Sequence, residues 1–115
     1  MKERPPYPNK ALVDFDDTLS KTVWDGEEWK MGSALPGMVE AVRNCARTHE
    51  IVIFTSRPFS DWEKLRDWLK VHQIPYNGIL SKPLADIYVD DRSMKPDEFR
   101  DRFNPNYERT RKPNG

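Results

Sequence analysis

The segment Asp14-Phe15-Asp16-Asp17-Thr18 places three carboxylates and a hydroxyl directly after the apolar pair Leu12-Val13. In an extended chain Asp14 and Asp16 share a face, because side chains alternate. Two carboxylates that close repel, and one takes up a proton unless a cation neutralises them. Asp90 and Asp91 end a second apolar run, Ile87-Tyr88-Val89. If the two run ends are neighbours, up to four carboxylates converge, and such an oxygen donor set selects a hard cation, most naturally Mg²⁺. Thr55 ends a third apolar run, Ile51-Val52-Ile53-Phe54, and Lys82 follows a fourth, shorter one. Carboxylates, a divalent cation, a lysine and a hydroxyl together suit phosphoryl transfer. The cation and the lysine neutralise phosphate oxygens, the hydroxyl donates a hydrogen bond, and a carboxylate serves as nucleophile. Positioning and electrostatic stabilisation supply most of the catalysis in such reactions. One cluster of strand-ending aspartates would read as turn caps; two clusters on apolar strands point to a site.

Elements must bring these groups together. Lys10–Asp14, Ile51–Thr55, Gly78–Leu80 and Asp86–Val89 read as short buried strands. Pro36 suits a first helical turn, and the spacing of Met38, Val39, Val42, Cys45 and Ala46 predicts an amphipathic helix to about Thr48. Ser60-Asp61-Trp62-Glu63 has the form of a capping box. It opens a helix to near His72, with Trp62, Leu65 and Leu69 inward and Trp68 partly exposed. Pro96 opens a last helix, through about Phe103. Thr22–Lys30 carries a hairpin signal, Asp25-Gly26 being a favoured two-residue turn. That turn sets Trp24 opposite Glu27 and Thr22 opposite Trp29, so the two tryptophans lie diagonally on one face. The order of elements is that of an α/β domain with a small, mainly parallel sheet. Such sheets gather polar groups at the carboxyl ends of their strands.

The chain of 115 residues is expected to form one domain, 1–115, without repeats or an internal boundary. Residues 1–9 read as an extended N-terminal arm, 22–30 as a flap and 104–115 as a loose basic tail. Charged residues are 33% and apolar ones 37% of the chain, so the core is lean. Lys plus Arg balance Asp plus Glu at 19 each, and the net charge names no partner. The lone Cys45 cannot form a disulfide within the chain, which fits a reducing compartment. Met1–Lys10 has no apolar stretch of the secretory kind, and no run is long enough to span a bilayer. A cytoplasmic protein without membrane contact is the expectation.

With those residues in view, the chain resembles the haloacid dehalogenase-like (HAD) hydrolase superfamily. Four motifs occur in that family's order: Asp14-Phe15-Asp16-Asp17-Thr18 after an apolar strand, Thr55 ending the second, Lys82 ahead of the last motif strand, and the paired acids Asp90-Asp91. The resemblance covers about residues 10–100. It implies a Rossmann-like three-layer sandwich with strand order 3-2-1-4, hairpin excluded, and the hairpin as a flap. It implies Asp14 as nucleophile and Asp16 as general acid and then base. Asp14, the backbone carbonyl of Asp16, and Asp90 and Asp91 would hold Mg²⁺, with Asp91 the direct ligand. Thr55 and Lys82 would bind phosphoryl oxygens. Asp17 stands where many members carry Gly. Residues 15–35 leave no room for an inserted cap beyond a turn and the Trp24/Trp29 hairpin. Asp17, Thr18, Ser56, Arg57, Trp24 and Trp29 are the candidate substrate-binding residues.

The expected function is therefore a Mg²⁺-dependent phosphomonoester hydrolase acting through an aspartyl phosphate. Its partner is a small or larger phosphorylated substrate, with nucleic acid left open, and the chain is expected as a monomer or weak homo-oligomer. A phosphotransferase handing the group to another acceptor is the alternative enzyme. An inactive HAD-fold binding module and a receiver-like signalling domain are the alternatives of another class. A receiver would end its middle strand in an acid, whereas Ile51–Phe54 runs into Thr55-Ser56-Arg57.

Overall fold

The computed structural model describes residues 9–107. Strand β1 (Lys10–Asp14) leads through a hairpin, β2 (Val23–Trp24) and β3 (Trp29–Lys30), to helix α1 (Met38–Cys45). Then follow β4 (Glu50–Thr55), α2 (Trp62–Val71), β5 (Gly78–Ser81) and α3 (Pro96–Phe103). β1, β4 and β5 form a three-stranded parallel sheet with β4 in the centre. The β-branched run Ile51-Val52-Ile53 is buried, as a central parallel strand requires. The register sets Asp14 beside Phe54 and Thr55 beside Ser81, so the carboxyl ends of all three strands meet at one edge.

The core lies on one face of this sheet. Val13, Ile51 and Ile53, flanked by Ala11 and Ile79, pack against Val42 and Cys45 of α1 and Leu65, Trp68 and Leu69 of α2. Phe15 and Leu19, from the loop after β1, are fully buried in the same cluster. α3 packs on α1, with Asn44 Nδ2 donating to the Phe103 carbonyl at 2.7 Å. The opposite face carries Leu12, Val52, Phe54 and Leu80, of which Leu12 and Leu80 are half exposed. The third layer of the expected sandwich is thus absent among the described residues.

The fourth strand differs as well. Asp86–Val89 is irregular, with Ile87 76% and Val89 93% exposed. Its alternation fits a strand, but the segment curls on itself: the Tyr88 hydroxyl donates to the Pro83 carbonyl, and Lys82 Nζ lies 4.3 Å from the Tyr88 ring centre. The outer edge of β1 consequently has no strand partner among the described residues.

The hairpin forms with a different register. Trp24 pairs directly with Trp29 and Val23 with Lys30, leaving the four-residue loop 25–28 in place of a two-residue turn. The Asp25 carboxylate decides this. Its Oδ1 accepts the amides of Glu27 and Glu28, both at 2.8 Å, and Oδ2 meets Lys30 Nζ at 3.2 Å. These contacts, the Glu28 amide foremost, pull the Asp25 pKa down to about 2. The direct register also brings the two indoles to 5.2 Å between ring centres, a favourable cross-strand pair. Because the folded pKa is depressed, this contribution is present above the ordinary value of about 4. It is lost as pH falls through about 2. Asp25→Ala is expected to weaken the exciton signature of the tryptophan pair in circular dichroism at neutral pH. The wild type should show the same weakening only on acidification towards pH 2.

Other local expectations shift. No side chain caps α2; a 3₁₀ turn at Phe59–Asp61 leads into it, so the Ser60–Glu63 capping box does not form. Trp68, not Trp62, is the core tryptophan. It meets Phe15 edge-on at 4.9 Å, stacks on His72 at 3.9 Å, and its Nε1 donates to the Gly32 carbonyl at 2.8 Å. Trp62 is half-buried, its Nε1 donating to the Arg57 carbonyl. Gly32 is required there, since a Cβ would come within 2.1 Å of the Lys21 carbonyl oxygen. α1 ends at Cys45, short of Thr48, while α3 opens on Pro96 as expected. The expected loose tail is packed through Tyr107, which is buried, with Arg100 4.5 Å over its ring. Residues 108–115 and the N-terminal arm up to residue 8 lie outside the described residues. Among the described residues no helix is long and apolar enough to cross a membrane.

Candidate active site

β1 delivers Asp14 to the carboxyl edge of the sheet, and the chain then turns back. The amides of Thr18, Leu19 and Ser20 all donate to the Phe15 carbonyl, and Asp17 takes a left-handed conformation at φ 59°. Asp17 is tolerated there because its carboxylate is used locally, accepting the Thr22 amide at 3.1 Å. The tight turn buries Phe15 and Leu19 and leaves the polar side chains of Asp14, Asp16 and Thr18 at the edge.

Asp14 is half-buried. Lys82 Nζ lies 3.6 Å from its Oδ2, and the Thr18 hydroxyl lies 3.5 Å from the same oxygen. Burial raises its pKa above the ordinary carboxylate value; Lys82 opposes that shift without cancelling it, and Asp16 adds to it. A desolvated carboxylate beside a lysine is less shielded by water than an exposed one, as a nucleophile needs. Lys82 is placed by its own amide, which donates to the Thr55 carbonyl at 2.7 Å and extends the β4–β5 ladder by one residue. Thr55 stands at the expected strand end but is fully buried, its Oγ1 accepting the Arg57 amide at 3.0 Å. In this conformation its hydroxyl shapes the Thr55–Arg57 turn from beneath the site. Ser56 is exposed beside it.

Asp16 meets Arg57. The guanidinium contacts Asp16 through Nε at 3.0 and 3.1 Å and through Nη2 at 2.7 Å, and its Nη1 reaches Asp61 at 3.2 Å and the Trp29 carbonyl at 3.3 Å. Its side chain is 9% exposed. Thr22 donates a further hydrogen bond to Asp16 Oδ1. Arg57, expected to face a substrate anion, is thus committed to two carboxylates of the protein and to the hairpin backbone. Sequence reasoning missed Thr22 and Asp61. Asp61 lies four residues after Arg57, a recognisable pairing distance, whereas nothing in the sequence marked Thr22.

The acidic doublet is not brought to Asp14. Asp90 and Asp91 are exposed on the irregular segment after β5, with Asp90 Oδ1 accepting the Arg92 amide at 2.8 Å as a turn cap. Among the described residues no group of three or more His, Cys, Asp or Glu side chains is arranged to hold a metal ion. The donor set that the sequence offered to Mg²⁺ is therefore only half assembled: Asp14 is in place and the doublet is not. The residues as placed do not fit the ion.

Trp24 and Trp29 remain more than half exposed on the hairpin, which Arg57 ties to the site. A cavity of about 300 Å³ lies between this hairpin and the start of α2.

No family model matches the chain, and no curated protein matches it significantly. Among solved structures it is similar to the crystal structure of a structural-genomics target from Vibrio cholerae, at 27% identity and a TM-score of 0.65. The match covers 89% of this chain and 98% of that one.

Proposed function

We propose that this chain hydrolyses phosphomonoesters, with Asp14 as the nucleophile. One observation carries the reading: a desolvated aspartate at a parallel strand end has a lysine ammonium 3.6 Å from its carboxylate. Asp14 attacks phosphorus as the ester oxygen departs, giving an aspartyl phosphate. Lys82 offsets the charge on Asp14 and on the phosphoryl oxygens nearest it. Asp16, two residues on and oriented by Arg57 and Thr22, enters the cycle carrying a proton, gives it to the leaving oxygen and regains one from the attacking water, so that the cycle closes without another acid.

The finer fold reading belongs to the same proposal. In a Rossmann-like order 3-2-1-4, residues 86–89 would add to the free edge of β1. Support comes from that unpaired edge and from the exposed alternating Ile87 and Val89. Mg²⁺ is proposed on residue type alone, from the acidic doublet, and no step is derived through it. The hairpin acts as the flap, and the free buried Cys45 fits a reducing, cytoplasmic setting. Transfer to an acceptor other than water shares every step up to the aspartyl phosphate.

A screen of phosphorylated metabolites, nucleotides and phosphorylated oligonucleotide ends tests the reading, run with Mg²⁺ and again in EDTA. Release of phosphate with Mg²⁺ and its loss in chelator are expected. Full turnover in EDTA would remove the metal from the proposal, and no turnover of any ester would remove the activity.

A further inference from the structure

The cavity between the hairpin and α2, which Arg57 joins to Asp16, has a composition that the phosphoryl chemistry does not explain. Its apolar wall is the indole of Trp29 with Met31 beside it; the rest is charged, with Arg57 and Asp61 at one end and Lys64 on α2. Trp29 is 60% exposed even though Trp24 packs against it at a tilt of 57°. Lys64 makes no ion pair or hydrogen bond among the described residues. An exposed indole beside a lysine offers a flat face and a cation to a planar, polar-edged ligand.

The position of the cavity says which part of a substrate that is. Asp16 serves the leaving oxygen, so the leaving group extends past Asp16, away from Asp14. Arg57 binds Asp16 with Nε and Nη2, reaches the hairpin with Nη1, and also lines the cavity. The leaving group therefore meets Trp29. We infer that this cavity receives the planar heteroaromatic base of a nucleotide-type phosphomonoester. The base stacks on Trp29, its polar edge faces the Asp61 and Glu28 carboxylates, and Lys64 lies at the rim of the same cavity. A lipid chain would need more apolar wall than one indole and one thioether. A sugar alone would leave the indole face uncovered. The inference rests on the phosphomonoesterase reading only for the direction of the leaving group.

The test is equilibrium binding to the full-length Asp14→Asn chain, in which nothing is consumed. Adenosine 5′-monophosphate is compared with ribose 5-phosphate, which lacks the base. A preference for the nucleotide of about 5- to 150-fold is expected, the range of one base–aromatic stack. Trp29→Ala should bring the ratio near one, and Trp29→Phe should restore part of it. A 5′-phosphorylated single-stranded oligonucleotide distinguishes the sources: tighter binding than the mononucleotide assigns the base to a nucleic-acid end, equal or weaker binding to a free nucleotide. Equal affinity for the first two ligands, or a preference that survives Trp29→Ala, overturns the inference. A preference that collapses in Trp29→Ala, in a chain whose wild type hydrolyses no ester, overturns the phosphatase reading and leaves the base site standing.

Discussion

Asp14→Asn is expected to lower turnover by at least about 10³-fold while leaving the thermal midpoint unchanged or up to about 4 °C higher. The first half follows from removing the nucleophile: an amide nitrogen or oxygen does not form the acyl phosphate. The second half turns on which of two opposing effects wins at Asp14. Burial disfavours its charge, Lys82 favours it, and the net result is a raised pKa, so the ionised carboxylate costs the fold more than the lysine returns. Asn keeps the shape without the charge. Lys82 is not stranded in the variant, since its Nζ also lies 4.3 Å from the Tyr88 ring centre and 5.6 Å from that of Phe54. The sign can be checked by pH. The ionised form is the costly one, so the cost is absent below the unfolded carboxylate pKa and grows as pH rises through the raised folded value. The variant's advantage in melting temperature should therefore close on acidification below about pH 4. Undiminished turnover would exclude Asp14 as nucleophile. A midpoint falling by many degrees would mean that the Lys82 ion pair outweighs burial.

How far the sequence reached depends on the range of the forces involved. The three strands of the sheet were legible because their signals are local: the β-branched run Ile51-Val52-Ile53 fits a buried central strand between two parallel neighbours. Asp14, Thr55 and Lys82 were legible as neighbours because parallel strands of known polarity fix where their carboxyl ends lie. The hairpin register was not legible, since Asp25-Gly26 satisfies a two-residue turn as well as the wider loop, and the Asp25 carboxylate's grip on the Glu27 and Glu28 amides decides between them. The Trp62/Trp68 exchange has a similar cause. Both positions lie at helical spacing from Leu65, and the Gly32 carbonyl that accepts the Trp68 indole belongs to a distant loop. Asp86–Val89 has the pattern of a strand, but a pattern states only what a segment can pair with. Whether the edge of β1 takes it is a balance between ladder hydrogen bonds and the cost of bringing the Asp90-Asp91 doublet beside Asp14 and Asp16. The same carboxylate repulsion that marked the site in the sequence opposes its assembly.

Arg57 separates two accounts of the site, and its replacement is expected to act on kcat rather than KM. Its guanidinium holds Asp16 through two nitrogens and is itself held by Asp61 and the Trp29 carbonyl, so it fixes the acid, the first turn before α2 and the hairpin together. Arg57→Ala releases all three. Leaving a half-buried carboxylate without its partner costs several kcal/mol in a dry interior. Asp16 retains 29% exposure. The expected loss is therefore nearer about 2 kcal/mol, or about 10 °C in the thermal midpoint. Asp16 then samples orientations away from the leaving oxygen, and a displacement of this order lowers kcat by about 10²-fold. For a phosphomonoester without a base, such as ribose 5-phosphate, KM should change little, because the fork that is lost was occupied by protein carboxylates and not by substrate; a nucleotide, whose base meets Trp29 on the released hairpin, should bind more weakly as well. Arg57→Lys keeps the charge but not the bidentate geometry, and it should recover most of the stability and little of the rate. If Arg57 instead binds the substrate anion, as its place after Thr55 suggested, the lysine variant recovers KM and the alanine variant raises it at nearly constant kcat. Steady-state kinetics of the two variants at one saturating and one limiting substrate concentration, beside their melts, decides between a positioning residue and a ligand for phosphate.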